Sequence, residues 1–390
     1  MLPAALRPKL FLLVAGLGLY LLTTGIAFAA FNFLRTEPQS EFANPLPGEG
    51  GGLAIDPGEP KTESCPLNGK LYTKTEKKAW ETRRPLVVMI ENHSEARPQS
   101  GITKADIVYE AVAEGGITRF LAVYLCDAVA RDTMLGPVRS ARTYFLDWAS
   151  EYGLTPLYVH VGGANLPGPA NALGQIQEYG WGGRNGNDLN QFAIGYPTFW
   201  RDYERIGHTV ATEHTMYTTT EKLWGEGKRR GWTNKDLKGI DWQDQFQSWK
   251  LEEKETEGPE ANKVSFEFWQ GGEEYAVTWE YNSQSKDYAR LNNGQAHTDL
   301  NNGEQIKSRV VIVQFLNENG PIDELKHILY KTISSGKALV FQDGKMTEAN
   351  WQKISRKART VFTGKNGKEL TFAPGKIWIE ILPTGNTVDY

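Results

Sequence analysis

The chain has 390 residues, of which 40% are hydrophobic and 23% are charged, a composition typical of folded globular proteins. Its 43 basic and 47 acidic residues give a net charge of −4, which excludes the overall basic character of nucleic-acid-binding proteins. Two cysteines exclude a disulfide-dense scaffold and a cysteine-rich zinc module.

The first predicted element is an N-terminal transmembrane helix over residues 10–34, which contain no charged residue. A helix of this length spans about 37 Å, enough to cross a hydrocarbon layer of ~30 Å. The short basic head, residues 1–9, predicts a cytoplasmic N-terminus and an extracytoplasmic remainder. The small-residue stretch 27–29 leaves a cleaved signal peptide as the alternative. Proline and glycine residues within 35–64 predict a flexible stalk.

Residues 65–231 are predicted to form the main domain, with an α/β or α+β layered fold. Short apolar runs separated by glycine and proline predict strands, and apolar residues at helical spacing predict helices. The predicted strands are 86–90, 106–110, 117–125 and 157–161, and the predicted helices are 141–152 and 218–230.

Polar residues gather where these strands end, which is where layered α/β proteins bind ligands. The candidate ligand-binding residues are Asn92, His93, Arg97, Gln99, Ser100, Arg119, Arg139, Ser140, Arg142 and His160. The segment 136–142 has a physical rationale as an anion site, because it places two arginines three residues apart at the start of a helix. The alternative is that these arginines pair with Glu110, Glu114 or Asp147 and hold loops together.

Three carboxylates, Asp106, Glu110 and Glu114, are spaced four residues apart and share a face in a strand or a helix. Paired carboxylates can carry out acid–base chemistry, so these are the candidate catalytic residues, with salt bridging as the alternative. The sequence matches no metal-binding motif and predicts neither a metal site nor a cofactor. Cys65 and Cys126 are predicted either to form one disulfide in an oxidising compartment or to remain two free thiols.

Residues 232–263 are charged and contain several glutamines, which predicts a solvated linker. Over residues 264–390, alternating strands and Asn-Gly or Asp-Gly turns predict a smaller, strand-rich C-terminal domain. Six of the twelve tryptophans lie between Trp224 and Trp279, where they serve either as core residues or as a sugar-binding platform.

Several of these stretches resemble a bacterial family, the YerB-like lipoproteins, which combine an N-terminal and a C-terminal domain of unknown function. The matching segments are 65–69, 84–93, 96–101, 105–110, 114–120, 136–142, 336–341 and 374–380. The resemblance implies the two-domain layout and an extracytoplasmic location, and it implies no established activity. Lipoprotein members carry a lipidation cysteine near the N-terminus that this chain lacks, so a protein anchor is expected instead of a lipid.

Three functional hypotheses follow. The first is a membrane-anchored envelope protein whose main domain binds an anionic or glycan ligand of the cell envelope at the strand ends. The second is an enzyme that acts on cell-wall polymers by glycan hydrolysis or by phosphoryl or pyrophosphate-linked transfer, the latter from a looser similarity to LytR-type cell-wall ligases. The third is a non-enzymatic scaffold for envelope proteins. All three place the N-terminal helix in the membrane and exclude nucleic acid as a partner.

Overall fold

The computed structural model describes residues 52–390, and Leu53–Tyr390 form one compact unit. The predicted transmembrane anchor over 10–34 and the greater part of the predicted stalk lie outside the described residues. Within the described part of the chain, no helix combines the length and the apolar character that crossing a membrane requires.

Short strands and a few short helices make up the first half of the unit. Its strands are β1 (Glu63–Ser64), β2 (Leu71–Tyr72), β3 (Leu86–Glu91), β4 (Ile107–Val112), β5 (Thr118–Tyr124), β6 (Met134–Leu135), β7 (Leu157–His160), β8 (Asp188–Asn190), β9 (Trp200–Arg201), β10 (Met216–Thr219) and β11 (Lys250–Leu251). The α-helices of the described residues are α1 (Lys74–Trp80), α2 (Thr143–Ala149), α3 (Ala172–Glu178), α4 (Gln191–Ile194) and α5 (Thr220–Arg229). The fold is therefore strand-rich α+β, with helices too few and too short for a regular α/β alternation.

The second half of the described chain contains strands, turns and one short 3-10 helix, Glu273–Tyr275. Its strands are β12 (Lys263–Phe266), β13 (Val277–Asn282), β14 (Asp287–Asn292), β15 (Gln295–Ala296), β16 (Lys307–Ser308), β17 (Val310–Leu316), β18 (Glu318–Asn319), β19 (Leu329–Tyr330), β20 (Ser335–Gln342), β21 (Lys345–Gln352), β22 (Val361–Thr363), β23 (Thr371–Phe372) and β24 (Ile377–Pro383). The strand-rich character predicted for residues 264–390 agrees with this content.

Ten strands from both halves form one mixed sheet in the order β22–β21–β20–β17–β24–β4–β5–β3–β7–β8. The last strand, β24, is the junction, because it runs parallel to β17 on one side and to β4 on the other, with Glu380 opposite Glu110. Six strands of this sheet run in the same direction, so their carboxyl ends share one edge of the sheet. These strands are β3, β4, β7, β8, β17 and β24. We term this edge the carboxyl edge and the opposite one the amino edge.

The central sheet is covered on both faces by aromatic packing. On one face, Tyr109 of β4 stacks on Trp148 of α2, with 5.5 Å between the ring centroids. On the other face, Trp378 of β24 packs against Phe120 of β5 and Trp279 of β13, at 5.3 Å in both cases. β13 belongs to a small sheet of β12, β13, β14 and β15, with β16 beside β14. Because buried aromatic side chains contribute large apolar areas, these layers bind the two halves into one core.

The predicted linker differs from a solvated connector. Its charged stretch 252–255 is exposed, but Trp232, Trp242 and Trp249 are buried, and each indole N–H donates to a backbone carbonyl. Lys250–Leu251 pairs with β23 of the C-terminal part. The average composition of the segment does not reveal these buried tryptophans. A few large aromatic residues contribute more buried area than many charged residues do. Five of the six tryptophans predicted as core or platform are buried, which favours the core role.

The first described residues also join the compact unit. The backbone N–H of Leu53 donates to Ala130 O at 2.9 Å, and β1 pairs with β2. Immediately after β1, Cys65 forms a disulfide with Cys126, and both sulfur-bearing side chains are buried. Of the two alternatives for the cysteines, the structure therefore contains the disulfide.

Candidate functional site

The carboxyl edge of the central sheet opens between β3 and β7. These strands pair over only three residue pairs and then separate, and the extended segment 136–141 fills the gap. Arg139 N–H donates to Met89 O at 2.9 Å, and Arg139 O accepts from Val161 N–H at 3.0 Å. Ligands of layered α/β sheets bind in crevices outside the carboxyl ends of the strands. The segment therefore places Arg139 between the carboxyl ends of β3 and β7.

Three arginines meet two carboxylates beside this segment. Arg119 and Arg142 both bind Glu114, with Arg119 Nη2 2.5 Å from Glu114 Oε1 and Arg142 Nε 2.8 Å from Glu114 Oε2. Arg139 forms an ion pair with Glu91, and Glu91 lies opposite Arg119 in the β3–β5 ladder. We term Glu91, Glu114, Arg119, Arg139 and Arg142 the strand-end cluster.

The strand-end cluster carries a net positive charge and reaches solvent through two side chains. Burial raises the pKa of Glu114, but the charges of Arg119 and Arg142 outweigh it and hold that pKa well below its ordinary value. Burial of Glu91 is likewise outweighed by a neighbouring histidine and the arginines, so its pKa falls to about 2. Both carboxylates are ionised at neutral pH and face three cations. The side chains of Arg139 and Glu114 are 24% and 26% exposed, whereas Arg119 is 3% exposed.

Other predicted site residues lie on the opposite face of the sheet, in what we term the buried polar network. This network consists of Asn92, Gln99, Glu110, Thr118, Arg290, His297 and Glu380. Asn92 Nδ2 donates to Glu110 Oε1 at 3.0 Å, and Gln99 Nε2 donates to Asn92 Oδ1 at 2.8 Å. Glu110 pairs with Arg290 of the C-terminal part. Because all seven side chains are buried and bonded to one another, they join the two halves of the chain rather than face a ligand.

Asp106 lies at the amino edge, next to the disulfide. Its Oδ2 accepts from the backbone N–H groups of Leu125 and Cys126 at 2.7 and 2.9 Å, and its Oδ1 accepts from Asn68 Nδ2 at 2.9 Å. Burial raises the pKa of Asp106 to about 7. The three carboxylates predicted to be catalytic therefore occupy three separate environments, and only Glu114 belongs to the strand-end cluster.

The remaining candidates surround the carboxyl edge in structural roles. Arg97 is half-buried and binds the buried polar network from its margin. Ser100 is buried, and its Oγ accepts from Arg205 Nη2 at 3.2 Å. His160 is buried, with Nε2 2.6 Å from Asp188 Oδ1. These residues shape the edge, whereas the arginines of the strand-end cluster supply its charge.

Two residues of the site, Glu91 and His214, were not among the candidate site residues predicted from the sequence. Glu91 ends β3, and the only signal for it was this position at the carboxyl end of a predicted strand. His214 packs its ring on that of His93, with centroids 4.8 Å apart. No local spacing links these histidines, because distant segments of the chain supply them. Ser140, a predicted ligand residue, is half-buried and accepts through its carbonyl from Arg119 Nη1 at 3.2 Å.

Comparisons with known proteins match most of the chain. Residues 71–233 match the family described as "Protein of unknown function (DUF3048) N-terminal domain", and residues 264–379 match the corresponding C-terminal domain. A protein of Bacillus subtilis strain 168 named "Putative lipoprotein YerB" is 31% identical over 342 residues, which are 84% of this chain and 88% of that relative. The crystal structure of the YerB protein from Bacillus subtilis superposes with a TM-score of 0.66 at 27% identity, and covers 84% of this chain and 100% of that one.

Proposed function

Because the chain belongs to the YerB-like family, whose two domains are of unknown function, we propose that it is a membrane-associated extracytoplasmic protein that binds an anionic cell-envelope ligand. The name of the lipoprotein relative supports the location. The disulfide between Cys65 and Cys126 also supports it, because such bonds are typical of oxidising compartments. The helix expected over residues 10–34, with a cytoplasmic N-terminus, is the proposed anchor.

The observation that carries the ligand proposal is the convergence of three guanidinium groups on two carboxylates at the carboxyl edge. Guanidinium groups bind phosphates and carboxylates through paired hydrogen bonds, and such bonds are stronger than neutral ones. Glu114 pairs with both Arg119 and Arg142, so the positive charges of these two arginines are held in fixed positions. Arg139 is the most exposed of the three and is the proposed contact residue. A wall glycan or polymer that carries phosphate or carboxylate groups fits this charge.

The geometry favours binding over acid–base catalysis. Asp106 and Glu110 are buried and bonded to protein groups, so neither reaches a ligand at the carboxyl edge. Glu114 stays ionised between two arginines, which removes it as a proton donor near neutral pH. The enzyme hypothesis is therefore the second candidate, and an envelope scaffold is the third.

The test is calorimetric titration of the purified full-length chain with cell-wall fragments that carry phosphate or carboxylate groups. Arg139→Ala is expected to weaken binding roughly 10- to 100-fold, because a charge-assisted hydrogen bond contributes about 1.5–3 kcal/mol. The matched control is Arg184→Ala, which removes an exposed arginine that precedes β8 at the amino edge and should leave the affinity unchanged.

Two results contradict the proposal. One is the absence of measurable binding for any anionic fragment, which leaves the scaffold hypothesis. The other is equal affinity for the wild type and Arg139→Ala, which places the ligand elsewhere. Chemical change of the bound fragments during incubation, monitored by mass spectrometry, would instead support the enzyme hypothesis.

A further inference from the structure

Two histidines and a glutamate form a group beside the strand-end cluster that the proposed function does not use. The rings of His93 and His214 are stacked at 4.8 Å with 25° between their planes. Glu95 belongs to the turn Ser94–Ala96 directly after His93. One potential ligand atom of each of these three residues lies within 4.8 Å of the other two.

The surroundings of His214 are those of a histidine placed between two carboxylates. Its Nδ1 lies 3.5 Å from Glu91 Oε2, and its Nε2 lies 3.9 Å from Glu95 Oε2. The His214 side chain is 5% exposed, and its Nδ1 has no hydrogen-bond partner among the described residues. Each ring nitrogen of His214 therefore faces a carboxylate oxygen. A metal-bound histidine has the same arrangement, with the metal at one ring nitrogen and a carboxylate beside the other.

The spacing is close to that of the ligands of a small divalent ion. Zinc binds histidine nitrogen and carboxylate oxygen at about 2.0–2.2 Å in a tetrahedral site, so two of its ligand atoms lie about 3.4 Å apart. The 3.9 Å between His214 Nε2 and Glu95 Oε2 must therefore shorten by about 0.5 Å, and the widest separation in the group, 4.8 Å, by about 1.4 Å. The ring of His93 must also turn out of its stack on His214, because a ring nitrogen binds a metal in the plane of its ring. His93 is half-buried and the Glu95 side chain is 60% exposed, so both can supply these movements.

We propose that His93, Glu95 and His214 bind one divalent transition-metal ion of the zinc type. Imidazole and carboxylate are the donor set of such ions. Glu91 faces the second nitrogen of His214, in the position of the outer carboxylate that orients a metal-bound histidine. Coordination by His93 replaces the weak bond, 3.2 Å long, that its Nδ1 accepts from Glu95 N–H. Three protein ligands leave a fourth position for water or an anion.

The experiment is a titration of the chelator-treated, full-length wild type with zinc alone, followed by calorimetry, and with cobalt(II), followed by its visible absorption. The expected result is one metal ion per chain. His93→Ala and His214→Ala should each weaken zinc binding by more than Glu91→Gln, for which roughly 10- to 100-fold is expected of a supporting residue. His208→Ala is the matched control, because His208 is exposed and lies outside the group.

The outcomes separate a metal site from a folding defect and from the envelope ligand. Each variant is first melted without zinc, and a variant that unfolds early is replaced by His93→Gln or His214→Gln. Because the titration contains zinc and no wall fragment, its result does not depend on whether the chain binds the envelope ligand. The absence of a stoichiometric metal ion, or equal zinc affinity for His214→Ala and the wild type, overturns the proposal and leaves His214 as a histidine paired with two carboxylates.

Discussion

Glu114 determines how the strand-end cluster responds to acid. Its carboxylate pairs with both Arg119 and Arg142, and both arginines are almost fully buried. Removing one partner from such a group leaves uncompensated buried charge, which costs more than the intact pair contributes. Glu114 therefore has a structural role as well as a place in the proposed site, and its replacement should alter stability in a pH-dependent way.

Glu114→Gln is expected to lower the free energy of unfolding at pH 7 by roughly 2–3 kcal/mol, less than the ~3–5 kcal/mol of fully buried pairs because the carboxylate is partly exposed. The folded pKa of Glu114 lies below the ~4.3 of an unfolded chain. Its contribution is therefore complete above that value and is lost as the pH falls through the folded pKa. Urea denaturation should show the difference from wild type shrinking between about pH 5 and pH 3.

The matched control is Glu348→Gln, which breaks an exposed pair with Lys365 and should change stability little at either pH. A difference between the wild type and Glu114→Gln that stays constant down to pH 3 would show that Glu114 stabilises the fold by something other than its charge.

For single residues, the sequence indicated which side chains are candidates for a site, but it did not indicate which groups each side chain contacts. Asp106, Glu110 and Glu114 look alike in their spacing, yet the structure gives each a different partner. Arg290 reaches Glu110 from the C-terminal part, far along the chain. A single sequence contains no local signal for such pairs, so the separation of the three carboxylates could not be predicted. The salt-bridge alternative for Arg139 and Arg142 is confirmed for Arg142, which pairs with Glu114, whereas Arg139 pairs with Glu91, a partner that the sequence did not indicate.

The element that positions the candidate site is the segment 136–141, which fills the gap between β3 and β7. It begins at Gly136, whose φ is +151°, a conformation that other residues rarely adopt. A Cβ there would lie 2.6 Å from Tyr217 Cδ1 and 2.8 Å from Met216 O, both of them closer than real contacts allow. The start of the segment is thus fixed against β10, and Arg139 follows three residues later.

Gly136→Ala is expected to destabilise the protein by about 1–3 kcal/mol, because both the backbone conformation and the crowding oppose a Cβ. It should also weaken the binding of anionic fragments by displacing Arg139. Gly180→Ala is the control, because Gly180 has a φ of +71° but open space around it, so only the conformational cost remains. Thermal unfolding of both variants measures the difference, and equal stability of the two would contradict the assigned crowding.

Elements with a strong local pattern were predicted well. The apolar run 86–90 corresponds to β3, and the run 157–161 corresponds to β7. The linker was predicted less well, because the pairing of β11 with β23 depends on two segments that are remote in sequence. Charged residues dominate the composition of 232–263, whereas its tryptophans determine where it packs. Local periodicity thus predicts strands, but it does not predict their neighbours.

At the scale of the whole molecule, one sheet runs through both regions that the family comparisons match. β24 lies between β4 and β17, so the last strand of the chain completes the sheet of the first half. The buried polar network crosses the same boundary, because Glu110 and Arg290 come from different halves. The sequence predicted two successive modules, and nothing in its local pattern indicated that they share a core. The two halves should therefore fold together rather than independently.

A chain that ends at residue 263, between the two matched regions, is expected to lack a cooperative unfolding transition. Truncation there exposes the edge of β4 and leaves Glu110 buried without Arg290. The full-length chain should unfold in urea in one transition, with coincident curves from tryptophan fluorescence and far-ultraviolet circular dichroism. Coexpression of residues 1–263 with residues 264–390 as a separate chain should restore that transition, because the missing strand is then available. A cooperative transition for the truncated chain alone, at the full-length midpoint, would show that the halves are independent and that the shared sheet contributes little to stability.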